Sequence, residues 1–230
     1  MKRWKKILLW IVVVLLFVAG LGMVFNEQIK EALVNHMAGR QYDDLTVAKI
    51  TKNKNAKTTY DFDSVKPLGI REVSAAAVKN DIGAIGKMAI PSVKMYLPIM
   101  PGVSNSSLSQ GGGTMKVNEQ MGEGNYALAG HYMTDKGILF SPLKNIQPGA
   151  AIYITDMKNV YKYQVTKRFI VNEDDVDVIN NVPGKKLITL VTCASAQEGV
   201  KDRIIVQGNL VNVNKADSQT LKVFTKTNQG

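Results

Sequence analysis

The hydropathy of the chain divides it into an apolar start and a patterned remainder. Residues 7–25 are nineteen consecutive uncharged positions, preceded by Lys2, Arg3, Lys5 and Lys6. A helix of that length just spans a hydrocarbon core of roughly 30 Å, so the pattern predicts a transmembrane segment. A cleaved signal peptide is the competing reading, since Ala19, Gly20 and Gly22 are small, but the apolar core of such a peptide is shorter, about 7–15 residues. The basic residues before the span place the N-terminus in the cytoplasm and the rest of the chain outside. Ile29, Leu33 and Met37 then recur at i, i+4 and i+8, which predicts a short amphipathic helix leading from the membrane. Residues 41–80 are polar and lysine-rich, with Lys52-Asn53-Lys54-Asn55 and little periodicity. Residues 1–25 are therefore read as basic end and anchor, and 26–74 as extracellular stalk and linker.

From about residue 75 to 223 the pattern becomes one of short β-branched or alternating runs broken by Gly, Pro and Asn: 85–90, 93–99, 126–132, 151–155, 160–171, 186–193 and 203–213. Seven or eight strands at this spacing predict a mainly β domain, a barrel or a sandwich. Residues 156–159 separate two apolar runs as a hairpin turn does, and Ser141-Pro142-Leu143-Lys144 reads as a helix start with Ser as cap and Pro first. A polar tail follows at 224–230.

At 230 residues and 45% hydrophobic content, the chain has room for one ordinary domain besides the anchor and stalk. Its net charge of +10 owes four charges to the first six residues, and the remaining lysines are scattered without aromatic interleaving. That distribution is a solvated surface beside an anionic membrane or wall, and no nucleic-acid partner is expected.

The chain has one cysteine and two histidines. Cys193 closes the run Leu187-Ile188-Thr189-Leu190-Val191-Thr192-Cys193, and it has no partner in the chain for a disulfide. A thiol near pKa ~8.5 is only a few per cent ionised at neutral pH and needs an imidazole or a cation to become a useful nucleophile. His36 lies in the polar stretch past the anchor, which leaves His131, in Ala127-Leu128-Ala129-Gly130-His131-Tyr132, as the imidazole partner. Arg203 opens the run after Cys193 and offers a permanent charge with forked donors for a carbonyl or oxyanion. One Cys and one domain His make a poor zinc site. Spacing alone leaves Cys193 as either a nucleophile or an inert core residue.

Thr189-Leu190-Val191-Thr192-Cys193 resembles the TLxTC signature of sortases, the transpeptidases that attach proteins to the Gram-positive cell wall. Residues 85–91 with Leu97-Pro98-Ile99 resemble that family's opening strands. Ser107-Leu108 with Gly111 to Gly113 resemble its first helix and glycine turn, and Ala129-Gly130-His131 its histidine segment. The resemblance covers about residues 82–213 and implies a closed eight-stranded β-barrel with short helices. Arg203 falls where the family's arginine follows the cysteine. The N-terminal anchor, without a second apolar segment or a lid insertion, is similar to the class A, housekeeping type.

The resemblance also implies a mechanism and partners. Cys193 is expected to attack the Thr–Gly bond of an LPXTG-type sorting signal on a surface protein. His131 would serve the leaving and entering amines, and Arg203 with Thr192 would steady the substrate. Ala129, Val191 and neighbouring strand residues, Thr189 among them, are expected to bind the signal, and a lipid-linked cell-wall precursor amine is the expected acceptor. No cofactor is implied. Some members use an acidic calcium cluster, but Glu119 and Glu123 alone precede His131, and Asn180 and Asn181 stand where an acid would be expected, so no calcium requirement is expected. The expected location is the cell membrane, single-pass, with the catalytic domain outside. An L,D-transpeptidase or a noncatalytic tethered scaffold are the other classes consistent with the compartment.

Overall fold

The computed structural model describes residues 3–79, 82–135 and 137–225. Helix α1 (Arg3–Val24) is fully unburied and is long and apolar enough to cross a membrane. Eight strands follow the N-terminal helices: β1 (Gly86–Ile90), β2 (Met95–Met100), β3 (Gly112–Thr114), β4 (Asn125–Ala129), β5 (Ala151–Thr155), β6 (Asn159–Asn172), β7 (Leu187–Cys193) and β8 (Asp202–Lys215). They close into a barrel in the order β1-β2-β3-β4-β7-β8-β6-β5, with β1 meeting β5 to complete the ring. This is the closed eight-stranded architecture implied by the resemblance.

Period-two alternation sets which side of the wall each residue faces. In β7, Ile188 and Leu190 point into the barrel and join Ile204 and Val206 of β8, Tyr126 and Leu128 of β4, and Met88 and Ile90 of β1 in one buried core. Their neighbours Thr189, Val191 and Cys193 consequently face outward. β7 pairs antiparallel with β8 and parallel with β4, so it is a central strand supported on both edges. Strand β3 lies where the sequence reads only as a glycine turn. A Cβ at Gly113 would meet the backbone carbonyl of Gly102 and the side chain of Leu108, so the close approach of β3 to the segment that follows β2 needs a residue without one.

Of two local details in the sequence reading, one holds and one changes. Residues 156–159 do form the expected turn, where the Asp156 carboxylate accepts from the amides of Lys158 (3.0 Å) and Asn159 (2.8 Å). Ser141 does not cap its 3₁₀ turn (Ser141–Asn145). Its hydroxyl accepts from the Met133 amide at 2.7 Å and so ties down the loop that follows His131.

The larger difference concerns residues 26–74, read as stalk and linker but folded here onto the barrel. Helix α2 (Asn26–Asp43) buries Lys30, Val34, Met37, Ala38 and Tyr42, and its Val34 and Met37 share the main core cluster with Val73 and Ala76 of α4 (Ile70–Lys79). The buried stripe is rotated from the Ile29/Leu33/Met37 face predicted, and Ile29 is 48% exposed. Helix α3 (Val47–Asn53) starts on a Thr46 cap and adds Ile50 to a second cluster with Leu45, Ile82 and Met100. Fully burying a Val or Met contributes about 1.5–3 kcal/mol, so Val34, Met37 and Val73 together hold this layer firmly. Phe224, placed in the polar tail by the sequence, is buried against Tyr42, whose hydroxyl donates to its carbonyl at 2.8 Å. Residues 226–230 lie outside the described residues.

Candidate active site

Register brings the three predicted residues to one level of the barrel wall. Cys193 lies directly opposite Arg203 across the β7–β8 ladder. Ala129 lies opposite Val191 across the parallel β4–β7 ladder, and the Gly130 amide extends that pairing by donating to the Val191 carbonyl at 3.0 Å. His131 therefore leaves β4 at the height at which Cys193 leaves β7. Gly130 is required between them, because a Cβ there would collide with the Phe140 ring.

All three side chains line one groove of about 820 Å³ on the outer face of the barrel. Its floor includes Ala129, Val191, Thr192 and Ile205, and one wall comes from residues 171–179 of the β6–β7 connection. Of the expected substrate-binding residues, Ala129, Val191 and Thr192 reach the groove. Thr189 does not: it is fully buried, donates to Asn125 Oδ1 at 2.7 Å and accepts from Gln207 Nε2 at 3.2 Å. Thr189 shares the outward phase of Val191 and Cys193, but Asn125 and Gln207 roof it over.

His131 retains some exposure as a residue, yet its Nε2 is wholly buried and has no hydrogen-bond partner among the described residues. Burial, and secondarily the Lys30 ammonium, push the imidazole down to about 4. Burial likewise pushes the Cys193 thiol up, with the Arg203 guanidinium opposing the shift and the Glu173 carboxylate adding to it. The resting pair at neutral pH is thus thiol and neutral imidazole rather than thiolate and imidazolium. The Thr192 hydroxyl is also buried without a partner. Two unpartnered buried polar atoms beside the Cys193 thiol are what a polar ligand would satisfy.

Residues outside the predicted set complete the site. The Arg203 guanidinium meets Glu173 at 2.5 Å and donates to the Val200 carbonyl at 2.6 Å. From the N-terminal layer, Lys30 lines the groove, only 10% of its side chain exposed, paired with Glu27 at 2.8 Å. Glu31 accepts from the Asp135 amide at 3.1 Å and so fixes α2 to the loop after His131. A lysine on a helix read as a stalk carries no sequence signal for this position. His36 is exposed and does not line the groove. Among the described residues, no group of three or more His, Cys, Asp or Glu side chains converges to hold a metal ion.

The chain resembles known proteins over most of its length. A family model described as the sortase domain matches residues 88–211. A Streptococcus agalactiae protein named sortase A is 40% identical over 227 residues, covering 94% of this chain and 91% of that one. The Listeria monocytogenes sortase A is 34% identical over 206 residues, covering 89% and 92% respectively. The solved structure of a Listeria monocytogenes sortase A superposes with a TM-score of 0.59 at 37% identity, covering 61% of this chain and 97% of that one. With the barrel, the TLxTC strand end and matches of this extent in agreement, the chain belongs to the sortase family of cysteine transpeptidases.

Proposed function

We propose that this sortase is of the class A, housekeeping type and cleaves LPXTG-type signals between Thr and Gly, with Cys193 as nucleophile, His131 as acid and base, and Arg203 as oxyanion donor. The observation that carries the reading is the meeting of these three side chains in one groove from three adjacent strand ends. The Cys193 thiol passes its proton to His131 as Sγ bonds to the Thr carbonyl carbon. The oxyanion that forms faces the Arg203 fork and Thr192. Collapse breaks the C–N bond, His131 returns the proton to the departing amine, and a thioester remains. A cell-wall precursor amine then attacks that carbonyl, His131 takes its proton, and the thiol is regenerated. Ala129 and Val191 form the apolar floor for the Leu-Pro part of the signal.

Helix α1, at about 1.5 Å per residue, is close to the thickness of a bilayer core. Its basic start supports a cytoplasmic N-terminus and an external groove. The partners proposed are LPXTG-bearing surface proteins and lipid-linked peptidoglycan.

The test is intact-mass analysis of the full chain in detergent with an LPXTG peptide, with and without a glycine-type amine. Expected are a Cys193 adduct, cleavage after Thr and ligation that depends on the amine. Absence of adduct, cleavage and ligation across several signal variants overturns the reading.

A further inference from the structure

The groove wall formed by the β6–β7 connection has no ladder of its own, since β6 ends at Asn172 and β7 begins at Leu187. Its 3₁₀ turn (Val176–Ile179) nevertheless presents Val176, Val178 and Ile179 to the groove. What holds it is a set of side-chain donors from the barrel. Asn125 Nδ2 donates to the Val178 and Asn180 carbonyls at 3.0 and 3.1 Å, and Gln207 Nε2 donates to Val178 at 3.3 Å.

Lys116, just past β3, closes this set. Its ammonium donates to the Asn125 carbonyl at 2.5 Å, the Ile179 carbonyl at 2.8 Å and Asn181 Oδ1 at 2.9 Å. An ammonium has three donors, and here each meets an oxygen on a different residue, one in β4 and two in the β6–β7 connection. Asn181 Oδ1 also accepts from the Asn125 amide at 2.9 Å, so strand, turn and lysine form one knot. Burial lowers the Lys116 ammonium from its usual range while Glu119 opposes the shift, which marks the charge as partly withdrawn from water.

We infer that Lys116 is a positioning residue for the sorting reaction: an internal cation that pins the β6–β7 wall to the barrel and thereby sets affinity for the signal peptide. The inference rests on the proposed reading that the peptide lies in this groove. Lys116 does not line the groove and touches no reacting atom; it acts through the carbonyl of Ile179 and the side chain of Asn181. Charge-assisted bonds are about twice as strong as neutral ones, so a neutral replacement should release the wall rather than merely loosen it.

The experiment compares the full chain with Lys116→Met and Asn181→Ala, reading amide hydrogen exchange and steady-state cleavage of an LPXTG peptide. In Lys116→Met, exchange protection is expected to fall across 176–181 while β7 stays protected. KM should rise about tenfold, with kcat within about twofold. Asn181→Ala, which removes one acceptor, should give the same pattern at smaller amplitude and decides the matter if Lys116→Met fails to fold. Unchanged protection, or lost protection with unchanged KM, overturns the inference. A wild-type chain that cleaves no peptide overturns the functional reading instead, which separates the two failures.

Discussion

The strands beneath the groove and the segments that cover it are held by different physics. Beneath it, β7 is fixed by seven paired residues to β8 and five to β4, and its inward side chains are locked in the barrel core. The cover consists of the β6–β7 connection and the start of α2. Beyond the apolar contacts that seat α2 farther along the helix, it is held by a few side-chain bonds: Lys116 and Asn125 at one point, the Glu173–Arg203 pair at another, and Glu31 on the Asp135 amide at a third. Ladder hydrogen bonds fail cooperatively, whereas isolated polar contacts open one at a time. The lower layer therefore fixes where Cys193, His131 and Arg203 stand, while the cover lines the groove that leads to them and adds, through Lys30 and Glu173, to the shifts that burial imposes on His131 and Cys193.

Breaking the lower layer's chemistry should have the largest effect. Cys193→Ala is expected to abolish adduct formation and ligation, a loss of at least about 10³-fold, with the thermal midpoint little changed because a half-buried thiol is replaced by a smaller apolar group. Next in size is Arg203→Lys, which keeps the charge and loses the fork. Loss of an oxyanion donor costs about 10²–10³ in kcat, and a kcat within about twofold of wild type would remove Arg203 from the reaction.

The two layers also differ in how legible they are in the sequence. β7 and β8 announce themselves because each carries a run of apolar and β-branched residues bounded by polar and turn residues, and the scarcity of Cys and His leaves few pairings for the site. β3 is silent, since glycine has no side chain to show a phase. Thr189 misleads because phase names the face of a strand and not what roofs it. The N-terminal layer is hidden for another reason. Lysines and asparagines fill many of its exposed positions, and the few apolar contacts, Val34, Leu45, Ile50 and Val73, are spread over three helices and the turn between α2 and α3, whose docking is set by the barrel. Lys30 is least legible of all, a charged residue buried only because Glu27 and the groove mouth receive it.

The cover's effect on His131 can be measured through pH. The folded imidazole sits at about 4 against an unfolded value near 6.5. A base whose folded value is depressed leaves stability intact above the unfolded value and costs stability as pH falls, since only the unfolded chain takes up the proton. The window is pH 6.5 down to about 4, and its full depth is about 3 kcal/mol for this one group. Lys30→Met should raise the His131 value while leaving it below normal, because burial is the larger cause. Titration of the ring by NMR, with thermal midpoints across the same pH range, checks this. A His131 value unmoved by the substitution would detach α2 from the site's electrostatics.

The smallest effect expected is that of Glu173→Gln, and it separates the cover's electrostatic role from its structural one. The pair with Arg203 is partly exposed, with side chains 36% and 23% accessible, so its loss should change stability by less than about 1 kcal/mol. Its effect on the thiol should still be visible. Glu173 raises the Cys193 value directly and also occupies the cation that lowers it. The neutral glutamine removes both influences, so the thiol should ionise at lower pH, and alkylation by iodoacetamide at pH 7 should quicken about two- to fivefold. An alkylation profile that does not move, with the fold unchanged, would mean that burial alone keeps Cys193 protonated. The reactive state would then depend on opening the groove rather than on releasing Arg203.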